Sequence, residues 1–97
     1  MIVYHRTFAA DQILREGFRD AEGNYLTLST YSGVWVSDSP LTVSDGAIGD
    51  RLLSVDVPED LFVEFEWIDE SGFQGHREAL VPAERLNRYQ VTEIEAE

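Results

Sequence analysis

Cysteine and lysine are both missing from this sequence, and histidine, proline and methionine are scarce. Without cysteine there is no disulfide framework and no thiolate metal site, so the core must hold without a covalent staple, a state compatible with a reducing cytoplasm. Two histidines leave little for a site built from imidazoles alone, and no metal is expected. No apolar run approaches the roughly eighteen residues of a membrane-spanning helix, and no basic segment leads into an apolar one. Neither a transmembrane helix nor a secretory signal is therefore expected, and the protein reads as cytoplasmic. The 97 residues, 43% apolar and 27% charged, describe one domain covering 1–97 with a modest core.

The missing lysines also shape the charge. Nineteen acidic residues face seven basic ones, all arginine, for a formal net charge of −12. Such a polyanion is repelled by phosphate backbones and anionic membranes and lacks the cations whose counterion release drives nucleic-acid binding. Direct binding of DNA or RNA is not expected. Spread along the chain, the acids suit solubility in a salty cytoplasm or a GC-rich gene; they also suit a surface that imitates nucleic acid before a basic partner. Glu93, Glu95 and Glu97 read as a solvated strand edge or tail.

No repeat, low-complexity stretch or linker divides the chain. Met1 to His5 is too short an apolar run for a helix and reads as a buried strand. Ala10, Ile13, Leu14, Gly17 and Phe18 then follow the stripe of a half-buried helix, with Thr7 available as its N-cap and Gly17 to end it. Asp20 to Asn24 reads as a loop. Beyond it the period shortens to 2: Tyr25 to Ser29, Gly33 to Ser37 and Leu53 to Val57 predict strands, the last stopped by Pro58. Val63, Phe65 and Trp67 alternate with Glu64 and Glu66, which predicts a strand with one wet face. A polar turn over Asp69 to Gly75 leads to a strand at Arg77 to Val81, a helical turn from Pro82 to Leu86, and a last strand at Tyr89 to Ile94. The predicted class is α+β, with a split or curled, mostly antiparallel sheet and one main N-terminal helix.

Four segments in this order carry a resemblance: Tyr4-His5-Arg6-Thr7; the helix ending Ile13-Leu14-Arg15-Glu16-Gly17-Phe18; Gly33-Val34-Trp35-Val36-Ser37-Asp38; and Arg77-Glu78-Ala79-Leu80-Val81-Pro82. Together they span most of the chain, and they resemble the diphtheria-toxin and PARP branch of the ADP-ribosyltransferase fold. In that family a histidine ends the first strand, an aromatic residue sits in a Gly-x-Tyr strand, and a glutamate begins a late strand. The resemblance implies NAD as co-substrate and a catalytic set of Glu78, His5 and Trp35. It further implies that His5, Arg6, Thr7, Trp35, Ser37 and Ser44 border the dinucleotide.

The chemistry accounts for such residues. Cleavage of the nicotinamide–ribose bond passes through an oxocarbenium-like state, which a nearby carboxylate stabilises, much as in glycoside hydrolysis. The resemblance gives Glu78 that place, bonding the ribose 2′-OH; as an ordinary strand residue it would instead pair with Arg77, Arg85 or Arg88. His5 has two ring nitrogens and can hold the adenosine ribose, or it can merely cap its own strand. Trp35, standing where the family has tyrosine, offers a flat face to the cationic nicotinamide ring; between Val34 and Val36 it equally suits a core. His76, two residues before Glu78, is a competing general base that reads as exposed. Arg6 replaces the glycine whose bare backbone grips the carboxamide in the family, and its guanidinium can reach the pyrophosphate.

Three functions are compatible with this reading. One is an NAD-dependent mono-ADP-ribosyltransferase acting on a protein or small molecule, a compact toxin or phage effector. The second is a member of the same fold that has lost the chemistry and serves as a protein-binding module. The third is an acidic, nucleic-acid-mimicking inhibitor of a basic protein partner.

Overall fold

The computed structural model describes residues 1–24, 30–40, 49–67 and 76–95. The elements run β1 (Ile2–Thr7), α1 (Ala10–Glu16), β2 (Ala21–Asn24), β3 (Thr30–Ser37), β4 (Arg51–Asp56), α2 (Glu59–Phe65), β5 (Glu66–Trp67), β6 (Glu78–Val81), α3 (Ala83–Leu86) and β7 (Val91–Ile94). The class is α+β, as the alternation of periods predicts. The strands lie in the order β5-β6-β3-β1-β4-β7, with β2 also paired to β3, and every described pairing is antiparallel. No helix among the described residues is long and apolar enough to cross a membrane.

Register decides which face is buried. Val3 lies opposite Val55 and His5 opposite Leu53, while Val36 faces Ala79 and Val34 faces Val81. Side chains at paired positions share a face, so these residues form one apolar row that also contains His5. Ala10 and Ile13 of α1, Leu61 and Phe62 of α2, and Ala83 and Leu86 of α3 join the same buried cluster. Fully burying a side chain such as Phe62 or Leu53 contributes roughly 1.5–3 kcal/mol.

α1 begins after a turn that Thr7 closes: the Ala9 amide donates to the Thr7 hydroxyl at 2.9 Å. Ala9, not Thr7, is the N-cap residue, because β1 runs to Thr7 and the hydroxyl is spent one step before the helix. The helix ends at Gly17, whose φ of 89° lies in the left-handed region where a Cβ would be strained. Asn87 then pairs with the backbone of Phe18, accepting from its amide at 2.7 Å and donating to its carbonyl at 2.9 Å. Leu14 is exposed, so the helix's apolar stripe is narrower than the spacing suggests.

Two segments differ from the sequence reading. Residues 63–67 do not form one strand: α2 takes Glu59–Phe65 and leaves only Glu66–Trp67 as β5. Leu61 and Phe62 turn inward, Phe65 packs against the core and Val63 faces outward, a helical arrangement that coincides over a few residues with alternation. Pro58 before the helix and Glu59 and Asp60 in its first turn fit that start. Ala21 to Asn24 is a strand rather than a loop, because it pairs with β3 from Ala21↔Gly33 to Asn24↔Thr30. Its weak intrinsic propensity is overridden by the partner. The predicted strand at 25–29, the turn at 69–75, Ser44 and Glu97 lie outside the described residues.

Candidate active site

The seam between β1 and β3 is the unusual place in the sheet. The two strands share a single register pair, Tyr4 with Ser37. Beyond it they part, and a cavity of about 190 Å³ lies there, bordered by His5, Thr7, Ile13, Phe18, Val34 and Trp35. Sites that engulf a whole small ligand span roughly 300–1,000 Å³, so this one admits a fragment such as one end of a dinucleotide.

His5 bridges the parting strands. Its Nδ1 lies 2.7 Å from the Trp35 carbonyl oxygen, and since a carbonyl can only accept, Nδ1 carries the proton. Burial, only partly offset by that hydrogen bond, pushes the imidazole below its ordinary value of 6.5, so the ring is neutral at pH 7. Nε2 is then an acceptor without a hydrogen-bond partner among the described residues. Phe18 meets the ring edge to face at 5.6 Å between centroids and fixes its plane.

Trp35 touches both sides of the seam. Its carbonyl holds His5, while alternation along β3 places its indole on the same face as Ser37. The side chain is 37% exposed, so Trp35 is not a core residue. Its ring packs edge to face against Trp67 at 5.5 Å. Trp67 lies in register with Glu78, and Glu78 with Ser37, so the aromatic pair and the carboxylate share one face. Glu78 is not among the residues bordering the cavity.

Two of the three arginines expected as alternative partners of Glu78, Arg77 and Arg85, are engaged elsewhere. Arg77 makes a forked bond to Glu66 at 2.7 and 2.9 Å with its guanidinium 5.0 Å above the Phe62 ring, and Arg85 pairs with Glu64. The forked bond with Arg77 holds the Glu66 carboxyl below the usual range. Among the described residues, the charged or polar group within reach of the Glu78 carboxylate is His76, with Nε2 3.5 Å from Oε1. His76 is mostly buried rather than exposed, with 12% of its side chain accessible.

The remaining expected residues are tied up locally. Arg6 Nη1 donates to the Gly49 carbonyl at 3.1 Å. Gly49 itself sits against the Thr7 backbone so closely that a Cβ there would overlap the nitrogen, Cα and carbonyl carbon of Thr7. The Ser37 hydroxyl is buried and donates to the Ser39 carbonyl. Thr7 borders the cavity with its hydroxyl already accepting from Ala9.

Two contributors escape sequence reasoning. Asp38 clips the start of β6: its carboxylate accepts from the Arg77 amide at 2.8 Å, and its own amide donates to the Arg77 carbonyl at 3.0 Å. That clip sets Glu78 opposite Ser37. Arg19 borders the cavity as a largely exposed cation, 3.9 Å from Glu16. Asp38 closes one of the quoted segments and Arg19 follows the helix, but in both cases the sequence offers only a charge beside a predicted strand or helix end. Among the described residues, no group of three or more histidine, aspartate or glutamate side chains is arranged to hold a metal. No family model matches this chain, and no curated protein or solved structure is significantly similar to it.

Proposed function

We propose that this chain is an NAD-dependent mono-ADP-ribosyltransferase-like protein that transfers ADP-ribose to a protein or small-molecule acceptor. One observation carries the reading. A neutral histidine with an acceptor Nε2 stands at a cavity in the sheet's seam, and Trp35, on the far side of that seam, shares a sheet face with Glu78, a carboxylate with no arginine partner among the described residues.

Each residue then has a chemical task. Nε2 of His5 accepts a hydrogen bond from a ribose hydroxyl, since its tautomer is set by the Trp35 carbonyl. The Trp35 indole offers its electron-rich face to a cationic nicotinamide. Glu78 would bond the hydroxyl of the reacting ribose and stabilise the positive charge that develops at C1′ as the bond to nicotinamide breaks. Arg19, at the cavity border, would pair with the dinucleotide's phosphates.

A second reading has its own support. Arg6 and Gly49 close the end of β1 where the resembled family keeps an open glycine backbone. This favours an interaction module of the same fold that has lost NAD. Release of nicotinamide from NAD by the purified protein, and transfer of labelled ADP-ribose in host lysate, separate the two. The transferase releases nicotinamide and labels an acceptor, and Glu78→Gln lowers both by about 10²–10³-fold, the range for losing one preorganised transition-state contact. Silence of wild type and variant alike, with no NAD binding, contradicts the transferase and turns the search to a basic protein partner.

A further inference from the structure

We propose that His76 is the general base that deprotonates the acceptor, and that the acceptor is therefore a nucleophile that carries a proton, a hydroxyl group with water as its smallest representative being the simplest case. The inference rests on the transferase reading above and deepens it.

Geometry sets the roles of the two ring nitrogens. Nε2 of His76 lies 3.5 Å from Oε1 of Glu78, so the tautomer with its proton on Nε2 sets that proton on the carboxylate's side of the ring. Nδ1 then carries the lone pair. No described group bonds Nδ1, and no buried side-chain nitrogen or oxygen among the described residues lacks a partner, so Nδ1 is not sealed from solvent although most of the ring is covered. A mostly buried imidazole with one nitrogen beside a carboxylate and the other open is arranged to take a proton from a bound nucleophile. The structure elsewhere shows how a purely structural ion pair is built in this chain: Arg51, Arg77 and Arg85 each reach both oxygens of a glutamate. The His76–Glu78 pair has a single longer contact and a spare nitrogen.

The step balances. The bond between ribose C1′ and the nicotinamide nitrogen breaks, and its electron pair leaves with nicotinamide, cancelling the ring's charge. A lone pair on the acceptor oxygen forms the new bond to C1′, and the hydroxyl proton passes to Nδ1 of His76. Glu78 acts on the ribose with one oxygen while the other faces the imidazolium that forms. A carboxylate acceptor would need no such base, so the pair suits acceptors that carry a proton.

The test compares nucleophiles that do and do not carry a proton, using NAD in water, with added methanol, and with added azide. His76→Gln should lower hydrolysis and methanol transfer by about 100-fold or more, the usual contribution of a general base. Azide, already an anion, should restore turnover to near the wild-type azide rate, and NAD affinity should not change. His76→Asn should behave alike, which separates lost basicity from one poorly folded variant. Undiminished hydroxyl transfer in both variants overturns the proposal, as does an equal loss with azide and with water, since that marks His76 as a mere prop for Glu78. A wild-type protein that leaves NAD intact instead overturns the transferase reading, and this inference with it.

Discussion

On one side of the Tyr4–Ser37 pair, β1 and β4 are matched residue by residue from Ile2↔Asp56 to Thr7↔Arg51, and β7 continues the ladder from Leu52↔Ile94 to Val55↔Val91. Arg51 clasps Glu93 with two bonds and Asp11 with a third, joining β4, β7 and α1. On the other side, β3 divides its length between β2 and β6, and β6 adds only the two-residue β5 beyond it. That half is fastened by side chains at its end, Asp38 on the Arg77 backbone and Arg77 on Glu66. The continuous half carries His5 on the buried face beside the cavity, whereas the pieced half carries Trp35 and Glu78 on the opposite face, with Glu78 outside the cavity border. A sheet zipped evenly across β1 and β3 would have no room between them, so the seam exists because the two halves meet at one pair only.

Breaking the continuous half at its end should have the largest effect. Gly49→Ala puts a Cβ into the Thr7 backbone at a φ of 147°, and strain of this kind costs about 2–4 kcal/mol. Urea denaturation should show that loss, together with a shifted amide resonance for Thr7. Unclipping the pieced half should cost less. Asp38→Ala leaves the Arg77 amide without its acceptor, worth about 1–2 kcal/mol, and displaces Glu78 from its place opposite Ser37. In the transferase it should reduce nicotinamide release more than NAD affinity, which steady-state kinetics and calorimetry distinguish.

The seam itself gives the smallest effect, visible as a pH dependence. The folded state holds His5 below its unfolded value of 6.5, so the unfolded chain binds the proton first and stability falls as the pH drops from about 6.5 towards the folded value. Protonating carboxylates in a chain of net charge −12 relieves repulsion over a more acidic range and acts the other way. Comparing wild type with His5→Gln isolates the histidine: the variant's stability should be flatter between pH 7 and 5 when followed by urea midpoints. Identical slopes would mean that His5 is not held neutral at the seam.

Much of this arrangement was legible in the sequence, for identifiable reasons. β1, α1, β4, β6 and α3 announce themselves through apolar period and through Gly17, Pro58 and Pro82, local signals that burial then honours. α2 was not legible as a helix because Val63, Phe65 and Trp67 alternate as a strand would, while the residues that decide the matter, Leu61 and Phe62, sit one turn earlier. β2 was hidden because its residues form a strand only against β3. For the site, residue type suggested His5, Trp35 and Glu78, yet nothing along the chain could show that Trp35's carbonyl fixes the His5 tautomer. Likewise hidden were the engagement of Arg77 and Arg85 away from Glu78 and the burial of His76 beside it. Those are facts of tertiary proximity, which spacing does not encode.

In the proposed transferase the seam binds NAD and Glu78 acts on what is bound there. A calorimetric titration of NAD into the wild-type protein and into Glu78→Gln, each paired with nicotinamide release, tests it most directly. Both should bind with similar affinity, and only the wild type should release nicotinamide. Heat of binding from neither protein, or equal nicotinamide release from both, would contradict it.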